Sequence, residues 1–515
     1  MEMHLSCRNL EKLLFEGYET GPCIPVKPRL RRSSVQDSPV TSIFWYDYET
    51  TGINPRNDRP LQVAGIRTDH ALNEIDEPVN LYCQPSEDIL PHPAACAITG
   101  ITPAQLAEKG LSEADFMTRV HAQLAAPGTC GAGYNTLRFD DEMTRYSLYR
   151  NFFDPYAREW QGGNSRWDLI DVVRAAYALR PDGLVWPTDD EGRVTLKLER
   201  LTAANNIDHG HAHEALSDVR ATIALARLIR EKQPKLYEWL FQLRSKQKVM
   251  DQIRLLQPLV HVSGRFSAAR SYVGVVLPLA WHPKNRNALV VCDLHLDPQG
   301  LLELDAQTLR QRLYTRRDEL AEGELPVPLK LIHINRCPVV APLAVLRAQD
   351  QQRLGLDMAL YQERAVRLTD AQQLWKDKVA AIYASEDFIP SEDPEQQLYD
   401  GFIGDRDRRL CEQVRTADPL QLAQEQWPFD DERLPELLFR YRARNFPDTL
   451  NVAEQERWRL FCQQRLTQPE AGAPNTVQSF IEAAEQWSLS ATPMQREVLN
   501  DWQNYVQALR KRLSL

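Results

Sequence analysis

Several features of membrane, secreted and disulfide-stabilised proteins are missing from this sequence. No apolar run approaches the length of about 20 residues that a membrane-spanning helix needs. The first residues carry acids at Glu2, Glu11 and Glu16 and lack the basic-then-apolar pattern of a secretory signal. The nine cysteines are scattered singly without a CxxC pair, which argues against both a disulfide framework and a zinc site. We therefore expect a cytoplasmic protein with reduced thiols and no membrane association.

Positive charge is also scarce. The 61 Lys and Arg residues are outnumbered by 71 Asp and Glu residues, and the formal net charge is −10. This balance gives no support for general nucleic-acid binding, although a local basic groove on an acidic protein can still hold phosphates. The hydrophobic content of 43% is that of an ordinary globular protein. A chain of 515 residues predicts about three domains.

The pattern along the chain divides it into a terminal segment and three domains. Residues 1–40 carry four prolines and a basic cluster, and we expect them to form a mobile N-terminal extension. Residues 41–232 show strands first and then strands alternating with helices, which predicts a mixed α/β domain. Residues 233–388 combine short β-like runs with helical inserts. Residues 389–515 are predicted to be helical, beginning with a helix over 395–402.

The most informative stretch is IFWYDYETTG at 43–52. Its apolar and aromatic residues predict a buried strand, and the alternation of side chains places Asp47 and Glu49 on the same face at its end. Two like charges side by side repel unless a cation lies between them. Ligands that offer only oxygen favour magnesium or manganese. For an isolated DxE pair, a solvated acidic strand end is the more ordinary explanation.

Two further acids and a histidine of the same domain extend this pattern. Asp140 opens a predicted helix, and Asp218 lies about one turn into another, over 214–231. His213 lies at the junction between a polar loop and that second helix. Rigid carboxylates suit metal ligation, and a histidine at a mobile junction suits proton transfer. The HxHxH run that ends at His213 also fits a zinc or nickel site, although such a run in a polar loop is more often solvated.

Three ordered motifs connect these residues to a known family. DYET at 47–50, YNTLRFDDE at 134–142 and HEALSDV at 213–219 resemble the motifs of the DEDDh superfamily of 3′→5′ exonucleases. The resemblance covers nearly all of the chain after residue 40, and five further segments narrow it to bacterial exonuclease I: NSRWDL (164–169), PLVHVSGRF (258–266), PLAWHPKNRNA (278–288), LKLIHINRCPV (329–339) and FRYRARNFP (439–447). This implies an α/β ribonuclease H-like exonuclease domain at 41–232, a small SH3-like β domain at 233–388 and an all-α C-terminal domain at 389–515.

The resemblance implies a function and roles for the five catalytic candidates. The function is 3′→5′ degradation of single-stranded DNA to 5′-mononucleotides by two-metal-ion hydrolysis, in DNA repair and recombination. The cofactor would be two Mg²⁺ ions, with Mn²⁺ able to substitute. Asp47 would bridge the ions, Glu49 and Asp218 would complete one site, and Asp140 would hold the second ion directly or through water. His213 would take the proton from the attacking water.

The motif register favours Asp140 over its neighbour Asp141 as the ligand. We therefore expect Asp141 to be a solvated acid in the first turn of its helix, where the helix dipole favours it.

Substrate contacts are assigned to residues in or beside the matching motifs. Besides Glu49, these are Lys197, Arg145, Tyr156 and Trp160. Lys197 stands where better-known members of the family carry Arg, so it supplies charge without bidentate geometry. For each aromatic residue, and for Trp167 above all, core packing is the competing explanation. Basic residues farther along the chain are candidates for the wall of a DNA groove, although each alone is more often a surface charge or a structural pair: Arg265, Lys284, Arg286, Arg442 and Arg444.

The resemblance also implies a partner and leaves two alternatives to consider. The partner is the acidic C-terminal tail of single-stranded DNA-binding protein, and the expected oligomeric state is a monomer. One alternative is an RNA-directed 3′ exonuclease of the same superfamily, which the match across the second and third domains counts against. The other is a catalytically inactive scaffold that binds single-stranded DNA. The required residue types at all five catalytic positions count against this scaffold.

Overall fold

The computed structural model describes residues 41–208, 214–384, 391–424 and 426–515. The predicted extension at 1–40 and the candidate His213 lie outside the described residues. None of the helices in these ranges is both long enough and apolar enough to cross a membrane.

The first region is built around a six-stranded mixed sheet with strand order β4-β3-β2-β1-β5-β6. Strand β1 pairs antiparallel with β2 and parallel with β5, so it lies near the middle of the sheet. The elements of this region are, in order, β1 (Ser42–Thr50), β2 (Pro60–Thr68), β3 (Val79–Cys83), α1 (Pro93–Thr99), α2 (Pro103–Lys109), β4 (Gly110–Leu111), α3 (Glu113–Ala125), β5 (Thr129–Gly133), α4 (Asp140–Arg150), β6 (Ser165–Asp168), α5 (Leu169–Leu179), α6 (Leu198–Ala204) and α7 (Ala215–Lys232).

Successive side chains of β1 point to opposite faces of the sheet, and a different layer of helices packs on each face. Ile43 and Trp45 join a core that contains Val219 and Ile223 of α7. Tyr46, on the other face, joins a second core, whose members from α3 and α4 include Phe116, Val120, Met143 and Leu148. Burying both faces explains why positions 43–46 of this strand are all apolar or aromatic.

The second region contains a five-stranded sheet in which all neighbours are antiparallel, with strand order β10-β9-β8-β7-β11. Helices stand between and after its strands, as the sequence predicts. The elements are α8 (Pro234–Gln242), α9 (Lys246–Asp251), β7 (Leu259–Val262), β8 (Val273–Trp281), β9 (Ala288–Asp293), α10 (Gln299–Glu303), α11 (Ala306–Tyr314), β10 (Leu329–His333), β11 (Val339–Pro342), α12 (Ala348–Arg353), α13 (Met358–Asp370) and α14 (Gln372–Ala384).

The third region is helical, and its last helix packs back onto the first region. Trp502 is fully buried and donates its indole N–H to the carbonyl oxygen of Ile101 at 2.8 Å. Leu90 and Leu106 of the first region share this core with Leu509. The elements are α15 (Asp405–Thr416), α16 (Pro419–Gln424), α17 (Leu434–Asn445), α18 (Val452–Thr467), α19 (Val477–Ser490) and α20 (Pro493–Leu513).

The predicted helix over 395–402 is wrong. The structure has a single 3₁₀ turn at Pro394–Gln396, followed by turns and irregular backbone. Arg433 donates hydrogen bonds to the carbonyl oxygens of Gln397 and Gly401, and a helix over 395–402 would engage the first of these internally. The side chain of Glu395 is drawn into buried ion pairs with Arg59 and Arg444. These long-range contacts outweigh the local helical propensity of the segment.

Candidate active site

Three carboxylates meet where β1 ends and α7 begins. Oxygen atoms of Asp47, Glu49 and Asp218 all lie within 4.8 Å of one another. Asp47 and Glu49 follow Ile43 and Trp45 on the same face of β1, and α7 crosses that face. Because α7 starts at Ala215, its first turn carries Asp218 to the acidic end of the strand. The apolar residues Ile43 and Trp45 thus pack against α7, and α7 in turn positions Asp218.

The fourth predicted carboxylate, Asp140, reaches the same strand from the opposite layer. Its Oδ1 accepts a hydrogen bond of 3.1 Å from the backbone N–H of Tyr48, which lies between Asp47 and Glu49. This N–H is available because pairing of β1 with β5 ends at Trp45. Asp140 is not among the residues whose oxygens lie within 4.8 Å of one another, so its place is beside the group of three.

Burial and mutual repulsion make these carboxylates poor anions in the absence of a cation. Desolvation by burial raises the pKa of Asp47 well above its usual range, and the charges of Asp140, Glu49 and Asp218 raise it further. Desolvation, followed by the charges of Asp218 and Asp140, raises the pKa of Glu49 to about 8. Burial also raises the pKa of Asp140 to about 8, against the hydrogen bond from Tyr48. Half-buried and buried acids that repel one another in this way fit a divalent cation with oxygen ligands.

Asp141 differs from the sequence-based expectation, because it is buried and fully engaged, not solvated. Its Oδ1 accepts hydrogen bonds from Tyr46 Oη at 2.7 Å and from Arg158 at 2.6 Å. Its Oδ2 accepts one from Arg166 at 2.9 Å. Burial acts to raise the pKa of Asp141, but the guanidinium groups of Arg158 and Arg166 hold it well below its usual range. Of the two adjacent acids, Asp141 is thus the one neutralised by the protein, as the register argument for Asp140 requires.

Lys197 shares a cleft of about 340 Å³ with the carboxylates. It is half-buried, immediately before α6, and the cleft is also lined by Asp47, Asp218, Tyr134 and Gly133. Gly133 allows β5 to approach β1 here, since a Cβ at this position would lie 2.6 Å from the carbonyl oxygen of Tyr46. The structure therefore brings Lys197 to the same opening as Asp47 and Asp218.

Arg145 is taken up by contacts within the protein. Its guanidinium pairs with Glu159 at 2.7 Å and Glu142 at 2.6 Å, donates to Tyr399 Oη at 3.0 Å, and lies over the Tyr156 ring. These partners surround the guanidinium within the protein, and the phosphate contact expected of Arg145 stays a prediction.

The three aromatic candidates have different surroundings. Trp160 is 60% exposed. Tyr156 is half-buried and packs edge-on against Phe402. Trp167 is 2% exposed and packs against Trp45 and Phe241, so core packing accounts for it. The structure thus leaves Trp160 available for stacking and removes Trp167 from consideration.

The five basic residues considered for the wall of a DNA groove fall into two groups by exposure and pairing. Arg442 pairs with Glu454 at 2.7 Å, and Arg444 is buried against Asp88 and Glu395. Both are structural pairs. The remaining three have exposed side chains: Arg265, Lys284 and Arg286.

Sequence reasoning missed Arg158 and Arg166, the partners of Asp141. A signal was present, since Arg166 lies within the NSRWDL motif and two adjacent acids at a helix start require countercharge if one is buried. The choice of partner could not be read from spacing, because 17 and 25 residues separate Asp141 from the two arginines.

Comparison with known proteins covers all three regions. Residues 44–226 match the family described as "Exonuclease", residues 244–385 match the "Exonuclease I SH3-like domain", and residues 392–509 match the "Exonuclease I C-terminal domain". These matches confirm the fold class predicted from the sequence.

Similar proteins agree with the domain matches. Exodeoxyribonuclease I of Escherichia coli K12 is 49% identical over 421 residues, which are 81% of this chain and 88% of that protein. Exodeoxyribonuclease I of Haemophilus influenzae is 46% identical over 86% of this chain and 94% of its own length. Among solved structures, exonuclease I from Methylocaldum szegediense superposes with a TM-score of 0.87 at 48% identity, covering 91% of this chain and 99% of that one. E. coli exonuclease I in complex with a dA16 oligonucleotide has the same TM-score at 45% identity, covering 91% of this chain and 100% of that one.

Proposed function

The chain belongs to the exonuclease I family and is an exodeoxyribonuclease of that type, and from this premise we propose that it degrades single-stranded DNA from the 3′ end. The products are 5′-mononucleotides. The observation that carries the proposal is the meeting of Asp47, Glu49 and Asp218, with oxygens within 4.8 Å of one another, at the edge of a cleft that also contains Lys197. Solved complexes of E. coli exonuclease I with oligonucleotides support single-stranded DNA as the substrate.

We assign divalent cations to the four carboxylates. Asp47, Glu49 and Asp218 would hold one ion, and Asp140 with Asp47 would hold a second, directly or through water. The donor set contains only carboxylate oxygens, so Mg²⁺ is the expected ion and Mn²⁺ the expected substitute. When bound, such ions polarise the phosphodiester, activate water near neutral pH and stabilise the leaving 3′-oxygen.

The side chains of the chain itself supply orientation and proton transfer. Asp47 and Glu49 are fixed by the pairing of β1 with β2, and Asp218 is fixed by the packing of α7 on the same face. His213, five residues before Asp218, accepts the proton of the attacking water, a role that a neutral imidazole fills near pH 7. Its assignment is supported by the HEALSDV motif.

Contacts to the substrate involve a smaller set of residues. Lys197 neutralises a phosphate at the mouth of the cleft, and Glu49 faces the terminal nucleotide. Trp160 and Tyr156 stack on bases farther from the 3′ end, each stacked base contributing about 1–3 kcal/mol. Arg145 is proposed as a further contact on the strength of its place beside the matching motif, and its guanidinium also pairs with Glu142 and Glu159.

The family resemblance supports a cellular setting for this activity. We propose a role in DNA repair and recombination, in the cytoplasm, as a monomer that docks the acidic tail of single-stranded DNA-binding protein. Within the described residues seven cysteines are free, in keeping with a reducing compartment. The proposed domain limits are 41–232, 233–388 and 389–515, with 1–40 as an extension.

The test uses a single-stranded DNA oligomer labelled at its 5′ end, with Mg²⁺ or with EDTA. We expect wild-type protein to shorten the oligomer progressively from its 3′ end with Mg²⁺, and EDTA to abolish this. Asp218→Ala removes one ligand and should abolish cleavage while retaining binding. Glu231→Ala, an exposed acid at the far end of the same helix, is the matched control and should cleave like wild type.

Two results would contradict the proposal. Binding of DNA by wild type without cleavage would favour the inactive scaffold. Degradation of a matched RNA oligomer but not of DNA would place the chain among RNA-directed enzymes of the superfamily.

A further inference from the structure

Asp141 accepts more hydrogen bonds than an acid in the first turn of a helix ordinarily does. Its carboxylate is held by Tyr46 Oη, by Arg158 and by Arg166 at 2.6 to 2.9 Å, and these four side chains are almost completely buried. A buried ion group is a weak source of stability, because desolvation of the charges offsets most of their attraction. Its directional hydrogen bonds, in contrast, fix the orientation of every partner.

The bond from Tyr46 places this group beside the proposed metal ligands. Tyr46 precedes Asp47 on β1, and Tyr48 follows it. Tyr46 Oη donates to Asp141, and the N–H of Tyr48 donates to Asp140. Asp140 and Asp141, two consecutive acids of α4, thus accept hydrogen bonds from the two residues that flank Asp47. This double contact sets the distance between the ligand on α4 and the ligands on β1.

Arg166 extends the group to the SH3-like region. Besides Asp141, its guanidinium pairs with Glu159 at 3.1 Å and donates to the carbonyl oxygen of Asn335 at 3.2 Å. The carbonyl oxygen of Arg166 accepts a bond of 3.1 Å from Cys337 Sγ. Asn335 and Cys337 belong to the connection between β10 and β11. Arg166 therefore contacts both Asp141, on the helix that carries Asp140, and the loop between β10 and β11 in the second region.

We propose that Asp141 and Arg166 are positioning residues, which hold Asp140 at the correct distance from Asp47 for metal binding and make this distance depend on the seating of the loop at 335–337. The inference rests on the proposed function only in assigning Asp140 to the metal site. Loss of either residue leaves β1 and α7 in place but releases the first turn of α4. The affected property is then the affinity of the site for its cation.

The test measures binding of Mn²⁺ to the full chain by the EPR signal of the free ion, without DNA. The variants are Asp141→Asn, which keeps shape and removes charge, Arg166→Met, and Arg166→Lys as the conservative rescue. We expect Asp141→Asn and Arg166→Met to weaken Mn²⁺ binding about tenfold or more, the usual effect of removing a group that orients a ligand. Arg166→Lys should recover part of the loss.

Glu113→Gln is the matched control. Glu113, at the start of α3, pairs at 2.7 Å with Arg150, which ends α4 at the opposite end from Asp141. The side chains of both residues are at most 9% exposed. We expect this variant to lower the melting temperature of the metal-free protein as much as Asp141→Asn does, with Mn²⁺ affinity within about twofold of wild type. Affinity of all variants for single-stranded DNA in EDTA should equal that of wild type.

The outcomes separate the inference from the proposed function. Unchanged Mn²⁺ affinity in Asp141→Asn and Arg166→Met, or an equal loss in Glu113→Gln, would reduce the group to a structural role and overturn the inference. Wild type that binds Mn²⁺ but does not cleave DNA would contradict the proposed function, and the variants would still decide the inference. Wild type that does not bind Mn²⁺ would overturn both.

Discussion

The backbone N–H of Tyr48 donates to Oδ1 of Asp140 at 3.1 Å, although 92 residues separate the two in sequence. This bond joins the start of α4 to the strand that carries Asp47 and Glu49. It also places Asp140 beside the strand residues that we propose as metal ligands.

Asp140→Asn should separate stability from activity. The amide oxygen still accepts from Tyr48, but the charge that repels Asp47 and Glu49 is gone. We expect cleavage to fall about a hundredfold or more, the loss that misplacement of a reacting group produces. The melting temperature in EDTA should stay equal or rise. Asp141→Asn should lower the melting temperature, since it leaves Arg158 and Arg166 without their anion. A fall of equal size in both variants would contradict the assignment of Asp140 to the metal site.

The metal-free protein should lose stability as pH rises between about pH 7 and 8. The pKa of Glu49 and of Asp140 is raised to about 8 in the folded state, so the native protein binds more protons than the unfolded chain and its free energy of unfolding falls with pH. Below this window, three histidines whose pKa is lowered by desolvation act in the opposite direction: His121, His261 and His333. Melting temperatures in EDTA and in Mg²⁺ at each pH measure the effect, and Mg²⁺ should flatten the dependence. Equal slopes with and without Mg²⁺ would argue against metal at these acids.

Lys197 should affect binding of the substrate more than the chemical step. Lys197→Ala removes one charge-assisted contact of about 1.5–3 kcal/mol, so we expect KM to rise about tenfold with little change in kcat. Lys197→Arg should lower KM, since the planar fork binds phosphate oxygens in pairs. Steady-state kinetics on a short oligomer at several salt concentrations provide the measurement. A fall in kcat at constant KM would instead place Lys197 beside the reacting phosphate.

Trp160 and Trp167 provide a matched pair of substitutions. Trp160→Ala should leave the melting temperature unchanged and weaken single-stranded DNA binding by about 1–3 kcal/mol, because its ring is 60% exposed. Trp167→Ala should destabilise the protein by about 3–5 kcal/mol, because it empties a buried site between Trp45 and Phe241. Fluorescence anisotropy with labelled DNA and thermal unfolding distinguish the two. Unchanged DNA affinity in Trp160→Ala would remove it from the substrate path.

Arg444 should be essential for attachment of the C-terminal helices. It is buried against Asp88, at 2.9 Å, and Glu395, so removing it takes one cation from each of two buried acids, which then keep only their pairs with other arginines. We expect Arg444→Ala to lower the free energy of unfolding by about 3–5 kcal/mol. Arg459→Ala breaks an exposed pair with Glu456 and should cost less than about 1 kcal/mol. Urea denaturation measures both, and similar losses would contradict the special position of Arg444.

Sequence reasoning reached the parts of the site that depend on local periodicity. Alternation along β1 placed Asp47 and Glu49 on one face, and the helix period placed Asp218 on the first turn of α7. It did not foresee that Asp141 turns inward, because adjacent helical residues give no sign of which one meets the core. The same limitation explains the helix wrongly predicted at 395–402, where Arg433 and Arg444, both distant in sequence, decide the backbone path.

The packing of α20 on the first region has a consequence for biosynthesis. Leu90 and Leu106 are covered by a helix that begins about 390 to 400 residues later, at Pro493. A nascent chain on the ribosome therefore exposes this apolar surface of its first domain until almost the whole chain has been translated. Chaperones that bind hydrophobic segments during synthesis would find a target here, and premature termination before Pro493 would leave this surface without its last helix.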